Sequence, residues 1–239
     1  MNKISIIITS YRRLDFIKNL LDSIFSYTDF PNIEVIVSNS DPGYNKFKDP
    51  FLEKQSKSSH IKYVYSKPKQ FMESVEEGYL KSTGDFILLL NDDCLIPDGD
   101  KDWLTKLWDY IKNREDVGSV SPYQFMSDMS FYTTGELDIN LPGRTNGTRG
   151  KLEDRPKELE VVWNPFSCVL LKKSFIEQNR FLDVVPKPQY HYGSDSCYCR
   201  KIMEMGLKNI TINSCWIYHF NNRTLIGYVN KRKYKYTGV

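Results

Sequence analysis

Gly84-Asp85-Phe86-Ile87-Leu88-Leu89-Leu90-Asn91-Asp92-Asp93 is the stretch on which the fold turns. Phe86 to Leu90 are apolar without a break, which predicts a strand buried on both faces, the pattern of a parallel sheet. The run stops abruptly at an amide and two carboxylates. In open α/β sheets ligands bind outside the carboxyl ends of the strands, so this strand delivers oxygen groups to a binding edge. Adjacent carboxylates repel each other, and a hard divalent cation carrying phosphate oxygens would relieve them. Taken alone, the triplet also suits a solvated turn, where Asn and Asp are ordinary residues.

The segments on either side favour the sheet. Ile4-Ser5-Ile6-Ile7-Ile8-Thr9 is a β-branched run, read as a first buried strand, with Ser10-Tyr11-Arg12-Arg13 as the turn after it. Leu14, Ile17, Leu20, Leu21, Ile24 and Phe25 recur at helical spacing. Ile33 to Val37 reads as a second strand closed by Ser38-Asn39-Ser40-Asp41-Pro42-Gly43, Phe47 to Lys57 as a weaker helix, and Ile61 to Tyr65 as a third strand. Gln70 to Ser82 carries Phe71, Val75 and Tyr79 on one helical face, with Gly84 as its stop. The order β-α-β-α-β-α-β implies a parallel sheet with right-handed crossovers. No GxGxxG follows the first strand and no Walker loop is present.

Beyond the acids, Trp103, Leu104, Leu107, Trp108 and Ile111 predict a helix, and Val117 to Ser121 a fifth strand. Tyr123 to Arg155 is rich in Gly, Thr and Asn and reads as a hairpin or two plus a mobile loop, a usual place for a lid or specificity insert. Val161 to Lys172 regains strand character, broken at Asn164-Pro165. Ser194 to Met205 reads as a helix, and Ile210–Ile212 and Trp216–His219 as two short late strands.

With 239 residues, 40% of them hydrophobic, the chain suits one α/β domain. Lys+Arg 33 against Asp+Glu 30 leaves a charge of +3, too balanced to argue for nucleic acid. Five scattered cysteines, with Cys197 and Cys199 one residue apart, do not make a zinc pattern and suggest reduced thiols in a cytoplasmic protein. No secretory signal is seen and no apolar run is long enough to span a membrane. The basic aromatic tail Lys231-Arg232-Lys233-Tyr234-Lys235-Tyr236 reads as a solvated end, with an anionic donor, acceptor or peripheral membrane surface as its functional partner.

The order of these segments resembles the inverting family-2 glycosyltransferases of the GT-A fold, over roughly residues 3–220. Ile6 to Arg13 resembles the family's opening strand and T-x-Y-x-R-type turn. Val35 to Asp41 sits at its second strand, and Gly84 to Asp93 resembles the G-D-(Y/F)-apolar-D-x-D segment. Phe181-Leu182-Asp183 and Gly193-Ser194-Asp195, with Arg200 beyond, resemble the F-D-E and G-E-D stretches, and Trp216 to His219 the late strand ending in a metal-binding His.

The resemblance implies a GT-A α/β domain: a mostly parallel central sheet flanked by helices, with a small hairpin or loop insert on the acceptor side. Residues 1–95 would form the nucleotide-sugar half, 96–220 the acceptor half and 221–239 the basic tail. It implies transfer of a sugar from a UDP-, dTDP- or GDP-sugar to a glycan or other hydroxyl, with inversion and with Mn²⁺ or Mg²⁺ on the diphosphate. Asp93, Asn91 and His219 would hold the metal, with Asn91 offering a neutral carbonyl where the family has a carboxylate. Asp195 would be the general base. Thr9, Tyr11, Arg13, Asn39, Asp41, Asp92 and Arg223 would face the donor, with Ser38 standing where the family commonly has Asp. Trp163, Asn164 and Ser194 would face the acceptor, with Phe166 nearby. His60 and His191 are left as structural. The departures at Ser38, Asn91 and Ser194 motivate a second reading, a catalytically silent GT-A-like module that binds nucleotide or glycan. The basic tail and the polar loop from Asn140 to Arg155 motivate a third, a transferase whose acceptor is a modified nucleic-acid base, which the balanced charge disfavours.

Overall fold

The computed structural model describes residues 2–11, 13–40, 61–65, 69–126, 128–132, 150–190 and 192–220. The helix expected at Phe47–Lys57, most of the polar insert and the basic tail lie outside these residues.

Three strands in chain order, β1 (Ile4–Ser10), β2 (Ile33–Asn39) and β3 (Ile61–Tyr65), and then β4 (Phe86–Asn91), form the parallel half of the sheet. They line up as β3-β2-β1-β4, with Thr9 level with both Ser38 and Asn91. Helices α1 (Leu14–Ser26) and α2 (Phe71–Lys81) are the crossovers that the described residues show. Side chains alternate across the sheet. Ile6, Ile8, Leu88 and Leu90 join one core with α1 and with α3 (Trp103–Ile111), while Ile7, Ile87 and Leu89 join a second core with α2. Both faces are therefore dry, which is why these strands read as unbroken apolar runs. Such burial contributes about 25 cal/mol per Å² of apolar surface and outweighs local propensity.

The second half is mixed. β5 (Cys94–Leu95) follows β4 at once, and β6 (Val117–Phe125), β7 (Glu158–Val161), β8 (Cys168–Lys172) and β9 (Lys208–His219) complete the sheet. The main path continues β4-β8-β6-β9-β5, with β7 pairing the far part of β9. β8 runs antiparallel to β4 and β6, and β9 runs parallel to β6. The two late strands expected from the sequence are one strand of 12 residues. Asn213, Ser214 and Cys215 are absorbed as an irregularity: Ile212 pairs Pro122, and Trp216 pairs the next residue, Tyr123. Short helices α4 (Lys173–Gln178) and α5 (Phe181–Val184) lead to α6 (Ser194–Glu204). All five cysteines are free thiols. No helix among the described residues is long and apolar enough to cross a membrane.

Candidate active site

The carboxyl ends of β1 and β4, the start of α6 and the end of β9 open on one cavity of about 870 Å³. Thr9, Tyr11, Arg13, Asn91, Asp92, Asp93, Ser194, Asp195 and His219 all line it. Four segments far apart in the chain thus converge where the strand ends deliver them.

Asp92 and Asp93 are both buried. Ser10 Oγ donates to Asp92 Oδ2 at 2.7 Å, and Arg13 donates to Asp92 Oδ1 at 3.0 Å and to Asp93 Oδ2 at 3.5 Å. One guanidinium therefore serves two adjacent carboxylates. Burial, and then the charge of Asp93, push the Asp92 carboxyl up to about 7, against the pull of Arg13 and Ser10.

His219 reaches this pair because β5 pairs antiparallel with β9, Cys94 opposite His219, and the Phe220 N–H donates to the Asp93 carbonyl at 2.9 Å. His219 Nε2 lies 3.3 Å from Asp93 Oδ1. Its Nδ1 is buried and has no hydrogen-bond partner among the described residues. A carboxylate oxygen, an imidazole nitrogen and the Asn91 amide oxygen at the end of the same strand fit a manganese- or magnesium-like ion. Cys94 Sγ clusters with Asp93 and His219 within 4.8 Å. Its thiol donates instead to the Ser167 carbonyl at 3.3 Å, and burial raises it well above the ordinary thiol range, so it stays protonated and packs in the core.

Asp195 stands in the first turn of α6, after Gly193, whose φ of 79° is left-handed and turns the chain into the helix. The Ser196 N–H donates to Asp195 Oδ1 at 2.8 Å. Burial raises the Asp195 carboxyl, and the backbone N–H groups of Ser196, Asp195 and Phe166 only partly offset it. In the contest between helix start and burial, burial wins. A carboxylate raised above its ordinary value accepts a proton more readily.

The acceptor-side expectations fare unevenly. Ser194 lines the cavity. Asn164 does not: it is fully buried, with Nδ2 donating to Ser119 Oγ and the Ile210 carbonyl, and Oδ1 accepting from Thr211 Oγ1. It ties β6, β9 and the loop before β8 together. Trp163 packs against the second core, away from the cavity wall. Pro165, Phe166 and Ser167 supply that wall instead. On the donor side, Asn39 is buried at the sheet edge but does not line the cavity, whereas Ser40 does. Asp41 and Arg223 lie outside the described residues. Tyr132, Gln70, Phe71 and Tyr192 also line the cavity. Sequence reasoning gave them no role here: Tyr132 and Tyr192 lie in irregular stretches with no periodicity to mark them, and Gln70 and Phe71 were read only as the start of a helix.

A parallel sheet with an acidic carboxyl edge, joined to a mixed half that returns a His to that edge, is the GT-A architecture. The sequence profile of "Glycosyl transferase family 2" matches residues 5–180, and the chain belongs to that family. No curated protein sequence matches it. Among solved structures, it is similar to the mannosyltransferase PcManGT from Pyrobaculum calidifontis in complex with GDP-Man and Mn²⁺. The TM-score is 0.63 at 16% identity, covering 96% of this chain and 61% of that one. GalNAc-T7 with UDP, GalNAc and Mn²⁺ gives 0.68 at 13% identity, covering 92% and 43%. S. aureus TarS 1-349 gives 0.63 at 14% identity, covering 91% and 60%. At such identities the likeness is one of fold, and the chain spans between 43% and 61% of the length of these three neighbours.

Proposed function

We propose that the chain transfers a sugar from a nucleotide diphosphate sugar to an acceptor hydroxyl, with inversion and with a divalent metal. The observation that carries this reading is the pairing of Asp93 with His219 at 3.3 Å in the same cavity as the raised carboxyl of Asp195. Asp93, His219 and Asn91 would hold the ion. When bound, it supplies positive charge to the diphosphate as that group leaves. Solved neighbours carrying GDP-Man or UDP with Mn²⁺ support this choice of donor class and ion.

The remaining work falls to the chain's own groups. Asp195 takes the proton of the acceptor hydroxyl. The acceptor oxygen forms a bond to the anomeric carbon, and the bond from that carbon to the phosphate oxygen breaks, with its electron pair leaving on the diphosphate. A single displacement of this kind inverts the anomeric centre through an oxocarbenium-like transition state. Arg13, already shared between two carboxylates, stands beside the place for the phosphates and suits bidentate contact with them. Thr9, Ser40 and the exposed ring of Tyr11 line the cavity at the ends of β1 and β2 and would face the nucleotide. Tyr11 is the one to stack on the base.

The test is release of nucleoside diphosphate from a panel of UDP-, dTDP- and GDP-sugars in Mn²⁺, with the anomeric configuration of the product read by NMR. One sugar nucleotide should turn over, with inverted product, and Asp195→Asn should not turn it over. Tight nucleotide binding without turnover on any acceptor would favour the silent module instead.

A further inference from the structure

Tyr132 is an aromatic residue of this cavity that, like Phe71 and Tyr192, none of the roles above uses. Its main chain is held firmly. The Tyr132 N–H donates to the Gln124 carbonyl at 2.8 Å, and Phe131 beside it bridges to Phe125. Phe131 is fully buried, with its ring 4.4 Å from that of Phe125 and 5.7 Å from that of Tyr123. The side chain is then aimed at the reacting groups. The Tyr132 ring meets the His219 ring at 4.4 Å and 85°. Tyr132 lines the same cavity as Asp93 and Asp195. Its phenol hydroxyl can both donate and accept.

Geometry then restricts what this hydroxyl can touch. In a single displacement the anomeric carbon lies between the entering acceptor oxygen and the leaving phosphate oxygen. Asp195 marks the entering side and Asp93 with His219 the leaving side. A group that lines the cavity these marks share and packs on the imidazole of the leaving side borders the place of the sugar between them. We propose that Tyr132 forms part of the pocket for the transferred sugar, its ring packing on the sugar and its hydroxyl bonding a sugar hydroxyl. This inference rests on the proposed transferase reading. It makes Tyr132 a specificity-determining residue, set on β6 and its return bridge and independent of the nucleotide contacts.

The test separates the sugar from the nucleotide. Wild type, Tyr132→Phe and Tyr132→Ala are titrated calorimetrically in Mn²⁺ with UDP, dTDP and GDP and with the matching sugar nucleotides. Free diphosphate affinity should stay within about threefold across the variants, the span of contacts left untouched. Affinity for the cognate sugar nucleotide should fall about fivefold in Tyr132→Phe, for one lost hydrogen bond. In Tyr132→Ala it should fall tenfold or more, roughly, as the aromatic contact goes too. Equal loss of free diphosphate and sugar nucleotide would overturn the proposal and make Tyr132 a support for His219. Unchanged sugar-nucleotide binding in Tyr132→Ala would overturn it as well. Absence of nucleotide binding by the wild type would instead overturn the donor-site reading, and this proposal with it.

Discussion

The parallel half of the sheet buries an acid at each of its two edges, and the two acids live oppositely. At the amino edge, Glu34 of β2 accepts from Ser5 Oγ at 2.6 Å and from the Thr83 N–H and hydroxyl at 2.6 and 2.9 Å. Lys3 and Lys62 pair with its other oxygen at 3.1 and 2.6 Å. Burial opposes ionisation there, but the Lys62, Ser5 and Thr83 contacts outweigh it and hold the carboxyl at about 2. At the carboxyl edge, burial and Asp93 drive Asp92 up to about 7. One edge satisfies its charge from within the fold. At the other, burial and a neighbouring carboxylate raise an acid that lies in a cavity, and a strongly perturbed acid in a cleft marks a candidate ligand site.

That contrast breaks most sharply at Asp195. Asp195→Asn should lower turnover about a thousandfold, the usual range for a lost general base, with nucleotide affinity and melting temperature nearly unchanged. Steady-state kinetics beside calorimetry check it. A variant that loses binding and turnover together would move Asp195 from base to donor contact.

Glu34→Gln should do the reverse, costing about 3 kcal/mol of stability and leaving Mn²⁺ and nucleotide binding alone. The pH dependence has a definite sign. The folded carboxyl titrates at about 2 and its ordinary value is 4.5, so the unfolded chain binds more protons between them. The stability that Glu34 contributes is whole above pH 4.5 and is lost as pH falls toward 2. The gap in melting temperature between wild type and Glu34→Gln should therefore close over that window.

Asn164→Ala gives a smaller effect of about 2 kcal/mol, because it takes the acceptor from the buried Thr211 hydroxyl and a donor from the Ile210 carbonyl, while Ser119 keeps its bond to Asn209. Chemical denaturation reads the loss. Nucleotide and acceptor affinities should be unmoved, as expected of a residue that ties strands together.

These variants also mark what the sequence could and could not tell. Phe86 to Leu90 announced a strand because both of its faces are dry, and the acids after it announced an edge because carboxylates rarely cap a buried run without cause. Motif order singled out Asp93, Asp195 and His219, and the structure brings the three to one cavity. Asn164, expected at the acceptor, lies buried with three partners, and an amide satisfied in a core has the same letter as one waiting for a sugar. The single β9 was read as two strands because Asn213-Ser214-Cys215 breaks the apolar pattern, while the sheet absorbs those residues as an irregularity. Tyr132 carried no signal, since only the pairing of Phe125 with Phe131 turns it toward His219.

The most direct test of the central claim is a Mn²⁺ titration followed by electron paramagnetic resonance, on wild type, Asp93→Asn, His219→Ala and Glu34→Gln, with UDP or GDP present. Wild type and Glu34→Gln should bind the ion equally. The two carboxyl-edge variants should lose at least the 10–100-fold, roughly, that follows from removing even an outer partner of a metal site. Equal binding by His219→Ala, or none by wild type, would contradict the account.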